Sequence, residues 1–260
     1  MMYAIAMQTM HIEDEKTWPK DVIEYLDQFG AVFKSWEIGR RPKRKRLVSG
    51  AEYDRFIYGL RAILSRCALR GYHCTRLTDG EIAMIVENGM LPLSGESLRT
   101  RISALVRGGI IQQRFAERLL SDHQADDWNR AGKVWFCFYP PRQVDEIGVD
   151  HFFRYWGGES LYMSHLIDDG TVEPRLATFG TPCLIEVDVP IARQNVDSWL
   201  EDIVARWYLK RRGFRTRESC DHENYATAPI PGANIRRIIK FPSRDFVRLT
   251  RCNRWERPLE

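Results

Sequence analysis

The chain of 260 residues has no cysteines spaced as CxxC, no glycine-rich phosphate loop and no apolar run long enough to cross a bilayer. Each absence excludes a class. Cys67, Cys74, Cys137, Cys183, Cys220 and Cys252 are scattered, without the paired spacing of a structural zinc site. Cys137 in "VWFCF" and Cys183 in "TPCLIEV" lie in apolar runs, where a free thiol acts as a small buried hydrophobe. A reducing, cytoplasmic compartment is therefore expected. Cys220 and His222 lack further ligands at suitable spacing, so no metal is expected. Neither GxGxxG nor GxxxxGK[ST] occurs, which removes both standard phosphate cradles. No segment approaches the roughly eighteen apolar residues of a membrane span, so no membrane association is expected. The opening "MMYAIAMQTMHIEDEK" has no basic lead and soon turns acidic, so no signal peptide is expected.

What is present points to a folded core. Apolar residues make up 44% of the chain, and eight tryptophans with twelve phenylalanines are too many for a disordered one. The net charge of +4 permits a polyanionic partner without requiring one.

Helical spacing runs through 19–33 and 51–69, on either side of the cationic "GRRPKRKR" loop at 39–46. Residues 1–69 are read as a helical N-terminal portion, and 70–260 as the main domain. In "GYHCTRLTDGEIAMIVENGMLPLS", 71–94, a strand ends in a turn. Thr78 and Glu81 have capping-box spacing, Ile82, Ile85 and Val86 continue as a helix, and Gly89 is expected to stop it in the left-handed conformation. Two helices are expected within an insertion at 95–131. After that come a buried strand in "GKVWFCFYP", a helix in "GGESLYMSHLID" (157–168) and a strand in "TPCLIEVDVP" (181–190). A helix at 197–213 has Asp197 as a candidate cap and Gly213 as its stop. Strands are expected near 225–229, 235–241 and 246–250. Helices and strands alternate early and strands cluster late, which predicts an α+β fold.

Three separated segments then line up: "YHCTRLTDGEIAMIVENGMLPL", "GKVWFCFYP" with "GGESLYMS", and "DHENYATAPIPGANIRRIIKF". In order and motif they resemble the ADP-ribosyltransferases of the His-Tyr-Glu class, which includes diphtheria toxin, the poly(ADP-ribose) polymerases and nucleic-acid-modifying toxins. The resemblance covers roughly 71–241. It implies split, mainly antiparallel sheets around an NAD cleft. It also implies that His73 and Thr75 bind NAD, that Tyr162 stacks on nicotinamide, and that Glu223 is the catalytic carboxylate. Trp135 or Phe136 stands where the class often has another aromatic, and Tyr155 can take the place of Tyr162. The helix after Gly158 lacks the serine-rich lead of the polymerases, and 95–131 is extra.

These residue types suit the chemistry. Cleaving the nicotinamide–ribose bond makes the sugar oxocarbenium-like, and a carboxylate on the 2′-hydroxyl steadies it. Flat nicotinamide fits an aromatic face. Glu159 is a second carboxylate to weigh, although the start of a helix alone accounts for an acid there. Cations at 40–46, 208–217 and 236–251 interleave with Trp36, Tyr208, Phe214 and Phe246. That pattern favours a nucleic-acid acceptor, single-stranded RNA before single-stranded DNA. By resemblance, such a transferase is the toxin of a toxin–antitoxin or phage-defence locus, with an inhibitory antitoxin protein. Two other readings remain open: a transferase with a protein target, and a DNA-binding regulator using "GESLRTRISALVRGGIIQQ" (95–113) as recognition helix and wing. A tRNA 2′-phosphotransferase needs more arginines around the histidine than Arg76 supplies.

Overall fold

Strand, turn and helix follow one another around His73, inside an α+β chain whose sheet is mostly antiparallel. The computed structural model describes residues 7–142, 147–165, 172–195 and 199–259. In chain order its elements begin with β1 (Thr9–Met10), α1 (Lys20–Gly39), α2 (Gly50–Leu64), β2 (Ala68–Leu77) and α3 (Asp79–Asn88). Next come α4 (Gly95–Arg107), α5 (Gln113–Ser121), β3 (Val134–Cys137), α6 (Ile147–Arg154), α7 (Glu159–His165) and α8 (Val172–Leu176). The last are β4 (Thr181–Pro190), α9 (Leu200–Arg211), β5 (Glu223–Ala226), β6 (Ile235–Lys240) and α10 (Arg244–Thr250). Among the described residues the strands form one six-stranded sheet in the order β5-β3-β2-β4-β6, with β1 on β2, where the resemblance implied split sheets. None of the described helices is long and apolar enough to cross a membrane.

The chain divides into two compact units, Met1–Gly71 with Asp188–Asn224 and Tyr72–Val187 with Tyr225–Glu260. The helical N-terminal portion thus takes in a later segment as well.

In the first unit α1 and α2 pack with α9. Ser49 caps α2 by accepting from the Glu52 N–H at 3.2 Å, and Tyr53, Ile57, Leu60 and Leu64 recur on one buried stripe. The spacing predicted α1 only to residue 33. The helix runs on to Gly39 because its last turns find partners: Trp36 stacks on Tyr53 at 4.3 Å, and Glu37 is buried beside Arg206 at 3.8 Å. Helix α9 is buried on nearly every side, so its acids need partners. Glu201 accepts from Arg61 at 2.6 Å and Asp202 accepts from the Tyr53 hydroxyl. Burial raises the Asp202 carboxyl above its ordinary range. The candidate cap Asp197 lies outside the described residues. The N-cap is Trp199, in the left-handed conformation at φ +54°.

In the second unit β4 is buried along almost its whole length and pairs antiparallel with β6, Leu184 opposite Ile239. On one side Phe153, Leu184, Phe246 and Trp255 pack together; a second cluster gathers Leu98, Ile102, Phe115, Leu119, Trp156 and Leu161. The capping box of α3 forms on both sides. Gly89 ends the helix at φ +82° but ψ −161°, so it is not left-handed; it turns the chain into an extended exit, where Met90 pairs with Ile230. The helix expected at 157–168 starts at Glu159, and its residues 166–168 lie outside the described residues.

One expected strand is a helix. Residues 246–250 belong to α10: Ser243 accepts from the Phe246 N–H at 3.4 Å, Asp245 lies in the first turn, and Phe246, Leu249 and Thr250 share the buried face. The β-favouring "FVRLT" is overruled by its cap and by a burial period of three to four. No strand follows α4: the chain turns directly into α5, and Leu98, Ile102 and Leu105 face the core, so the recognition helix has no wing.

Candidate functional site

Strand β2 sets the site. Tyr72 and Cys74 point into the core, so alternation places His73 and Thr75 together on the other, half-buried face. His73 Nδ1 is 2.9 Å from the Trp135 carbonyl oxygen on neighbouring β3, and its ring meets Phe136 edge-on at 6.1 Å. With Nδ1–H donating to that carbonyl, the neutral ring presents Nε2, which has no hydrogen bond within the described residues. Burial lowers the His73 pKa; the Trp135 bond opposes this and the Arg101 guanidinium adds to it.

Glu81 ties three segments together. Its Oε2 accepts from the Thr78 N–H (2.8 Å), the Thr78 hydroxyl (3.0 Å) and the Trp156 indole N–H (2.8 Å). Its Oε1 accepts from Arg101 Nε at 2.6 Å, and that guanidinium lies 4.7 Å over the Trp156 ring. Burial works to raise the Glu81 pKa, but Arg101 and these hydrogen bonds hold it below the usual carboxylate range.

On the other face of the β2–β3 pair from His73, the turn leading into β3 builds an aromatic platform. Trp135 is 43% exposed, donates its indole N–H to the Asn129 carbonyl at 3.2 Å, and lies 4.7 Å from the Tyr225 ring. Lys133 Nζ sits 4.7 Å over Tyr225 and 5.4 Å over Trp128, which is 87% exposed, and it donates to the Trp128 carbonyl at 2.7 Å. Arg130 extends this turn to α7, bonding Glu159 at 3.2 Å. Glu159 in turn bonds the Tyr162 hydroxyl, and burial, with this carboxylate, raises the Tyr162 pKa. Gly157 stands at φ +87°, where a Cβ would strike the Leu161 side chain, and from this bend α7 starts.

The second unit therefore brings His73 and Phe136 together, with Thr75 on the same strand face; the register of Tyr72 opposite Cys137 puts the Trp135 side chain on the other face, and only its carbonyl reaches His73. Phe136 is buried, so Trp135 is the more exposed of the two aromatics. Tyr162 is 2% exposed and packs in a separate aromatic cluster, 5.0 Å from His151, 5.9 Å from Tyr155 and 6.4 Å from Phe152. Tyr155 is half-buried and stacks on His151 at 5.5 Å. Glu223 is the exposed first residue of β5 and falls in the first unit; strand alternation gives it the same face as Tyr225.

Sequence reasoning missed Arg101, Arg130, Lys133 and Tyr225, and gave Glu81 only a capping role. Arg101 did leave a trace: it sits three residues after Leu98, at an edge of the apolar stripe, where a cation needs a partner. Tyr225 follows Glu223 at strand spacing. Among the described residues, no group of three or more His, Cys, Asp or Glu side chains is placed to hold a metal ion. No protein-family model, curated protein or solved structure matches the chain.

Proposed function

We propose that the chain is an ADP-ribosyltransferase of the His-Tyr-Glu class, moving ADP-ribose from NAD to a nucleic acid, single-stranded RNA before single-stranded DNA. The observation that carries this reading is the hydrogen bond between the His73 ring and the Trp135 backbone carbonyl, which fixes the imidazole on the sheet of the second unit. Its Nε2 has no hydrogen bond within the described residues, and the Phe136 ring stands edge-on to it at 6.1 Å.

His73 Nε2 takes a ribose hydroxyl of the adenosine half. An aromatic face holds the nicotinamide ring. Glu223, on the strand face it shares with Tyr225, accepts from the 2′-hydroxyl of the reacting ribose and steadies the cationic sugar. The glycosidic C–N bond breaks and its electron pair leaves with nicotinamide. A nucleophile of the acceptor bonds C1′ and gives up its proton. Water must be kept out, or NAD is merely hydrolysed. An activity of this kind needs restraint in the cell that makes it, so an inhibitory antitoxin protein belongs to the same reading.

The test uses NAD labelled in its adenylate half, incubated with the protein and a mixture of RNA, single-stranded DNA and protein. Label should enter RNA as nicotinamide is released, and Glu223→Gln should slow release by about 100-fold or more. Undiminished release by that variant removes Glu223 from the reaction. Label in protein alone removes the nucleic-acid acceptor in favour of a protein target.

A further inference from the structure

The C-terminal end of the second unit carries an open groove lined by Arg244, Val247, Arg248, Arg251, Asn253 and Arg254. The four arginines follow one another at helical spacing, and all are exposed. Arg248 pairs with Asp245 at 3.1 Å. Arg244, Arg251 and Arg254 have no ion pair among the described residues. Other cations of this unit are matched with acids, among them Arg237 with Glu186 and Asp245, Lys240 with Asp79, and Arg101 with Glu81. Three arginines without an ion pair among the described residues thus line one groove.

The backbone beneath is fixed. Phe246, Leu249, Cys252 and Trp255 are buried under the arginines. The Thr250 hydroxyl donates to the Phe246 carbonyl at 2.9 Å and accepts from the Cys252 N–H at 3.2 Å. Arg251 takes φ +54° and ψ 29°, a left-handed conformation uncommon outside glycine. That bend ends α10 and starts a single 3-10 turn at Cys252–Arg254, so arginines from two helical pieces line the same groove.

We infer that this groove binds the phosphodiester backbone of a single-stranded polynucleotide. The inference supplies the acceptor class for the transfer proposed above and rests on that reading for what happens to the bound strand. Guanidinium forks match phosphate oxygens two at a time, and a fixed backbone lowers the ordering cost of using them. A membrane-facing surface would carry exposed apolar residues between its cations. Here the residues between them are Asn253 and a half-buried Val247. A duplex reader would project a helix into a groove of DNA; α10 has seven residues, and its other face is core.

The experiment follows fluorescence anisotropy of a short labelled RNA of mixed sequence across a salt series. It compares the full chain with a variant carrying Arg244→Gln, Arg251→Asn and Arg254→Gln. Asparagine tolerates the left-handed backbone at 251. The variant should bind about tenfold or more weakly, and its log–log salt slope should be shallower by about two, since three lost phosphate contacts contribute about 0.7 each. Lysine at the same three positions should restore much of the binding and the slope, which separates charge from misfolding. Nicotinamide release without RNA should be the same in all three proteins. Equal affinity and slope in the glutamine–asparagine variant overturn the inference. So does tighter binding of duplex DNA or of phosphatidylserine vesicles than of RNA, when that binding is lost in the same variant. If none of the proteins releases nicotinamide while RNA binding still falls as described, the transferase reading fails and the groove stands.

Discussion

At Gly89 the backbone takes φ +82° and ψ −161°, a region open almost only to glycine. A Cβ there would run into the Ile230 carbonyl oxygen and come within 2.7 Å of the Gly232 nitrogen. Those atoms cannot yield easily, because Met90 N–H donates to Ile230 O at 2.8 Å and Ile230 N–H donates to Met90 O at 2.9 Å. Gly89→Ala should therefore cost about 2–4 kcal/mol through backbone strain and the broken bridge. A lowered denaturant midpoint with an unchanged slope would show it; an unchanged midpoint would mean that the exit from α3 bends freely. The sequence marked Gly89 as a stop but gave the wrong conformation. The turn after it is decided by Ile230, which is remote in the chain. The strands that carry His73 and Trp135 were legible from short local motifs. Arg101 and Arg130 were not, because their roles depend on acids, Glu81 and Glu159, that only the fold brings near.

Helix α3 is legible because its signals are local. Thr78 and Glu81 cap each other, and the helix buries none of its own residues, so it draws little from packing. With so little packing, its first turn depends on the cap. Thr78→Ala removes the hydroxyl that accepts from the Glu81 N–H at 3.3 Å and donates to the Glu81 carboxylate. The expected loss is about 1 kcal/mol, read from thermal unfolding; no loss would mean that the hold of Arg101 and Trp156 on Glu81 suffices to start the helix. Strand β4 was equally legible, as an apolar run between two prolines that matches Thr181–Pro190. Helix α10 was not. "FVRLT" reads as strand in isolation, and what makes it helical is the Ser243 cap and the burial of Phe246 against Phe153 at 5.0 Å. The tail of α1 was missed for a similar reason: Trp36 keeps the helical spacing three residues after Phe33, but the acid Glu37 falls on the buried stripe, and Tyr53 and Arg206 hold the two.

Across the whole chain the surplus of four positive charges understates how the charge is arranged. Many cations are committed to internal pairs, in the first unit with Glu37, Glu201 and Glu218 and in the second with Glu81, Glu159 and Glu186. Acid should weaken such a molecule, and two histidines whose pKa burial lowers, His73 and His222, set where the weakening begins. His222, in the first unit, is 2% exposed, and burial lowers its pKa from 6.5 to about 4. The folded state then binds fewer protons than the unfolded state between those values, so stability falls as pH falls. The contribution of His222 is complete above about pH 6.5 and lost progressively down to about pH 4, a span worth about 3 kcal/mol. Carboxylates held below their ordinary range, such as Glu81, act in the same direction but at lower pH. Asp202, raised by burial, acts in the opposite direction. Comparing the parent with His222→Gln cancels these contributions and that of His73. Urea unfolding at intervals from pH 7.5 to 4.5 should show stability declining from about pH 6.5 in the parent and a flatter profile in the variant over the same range. Parallel profiles would mean that His222 takes up its proton as readily in the folded chain as in the unfolded one.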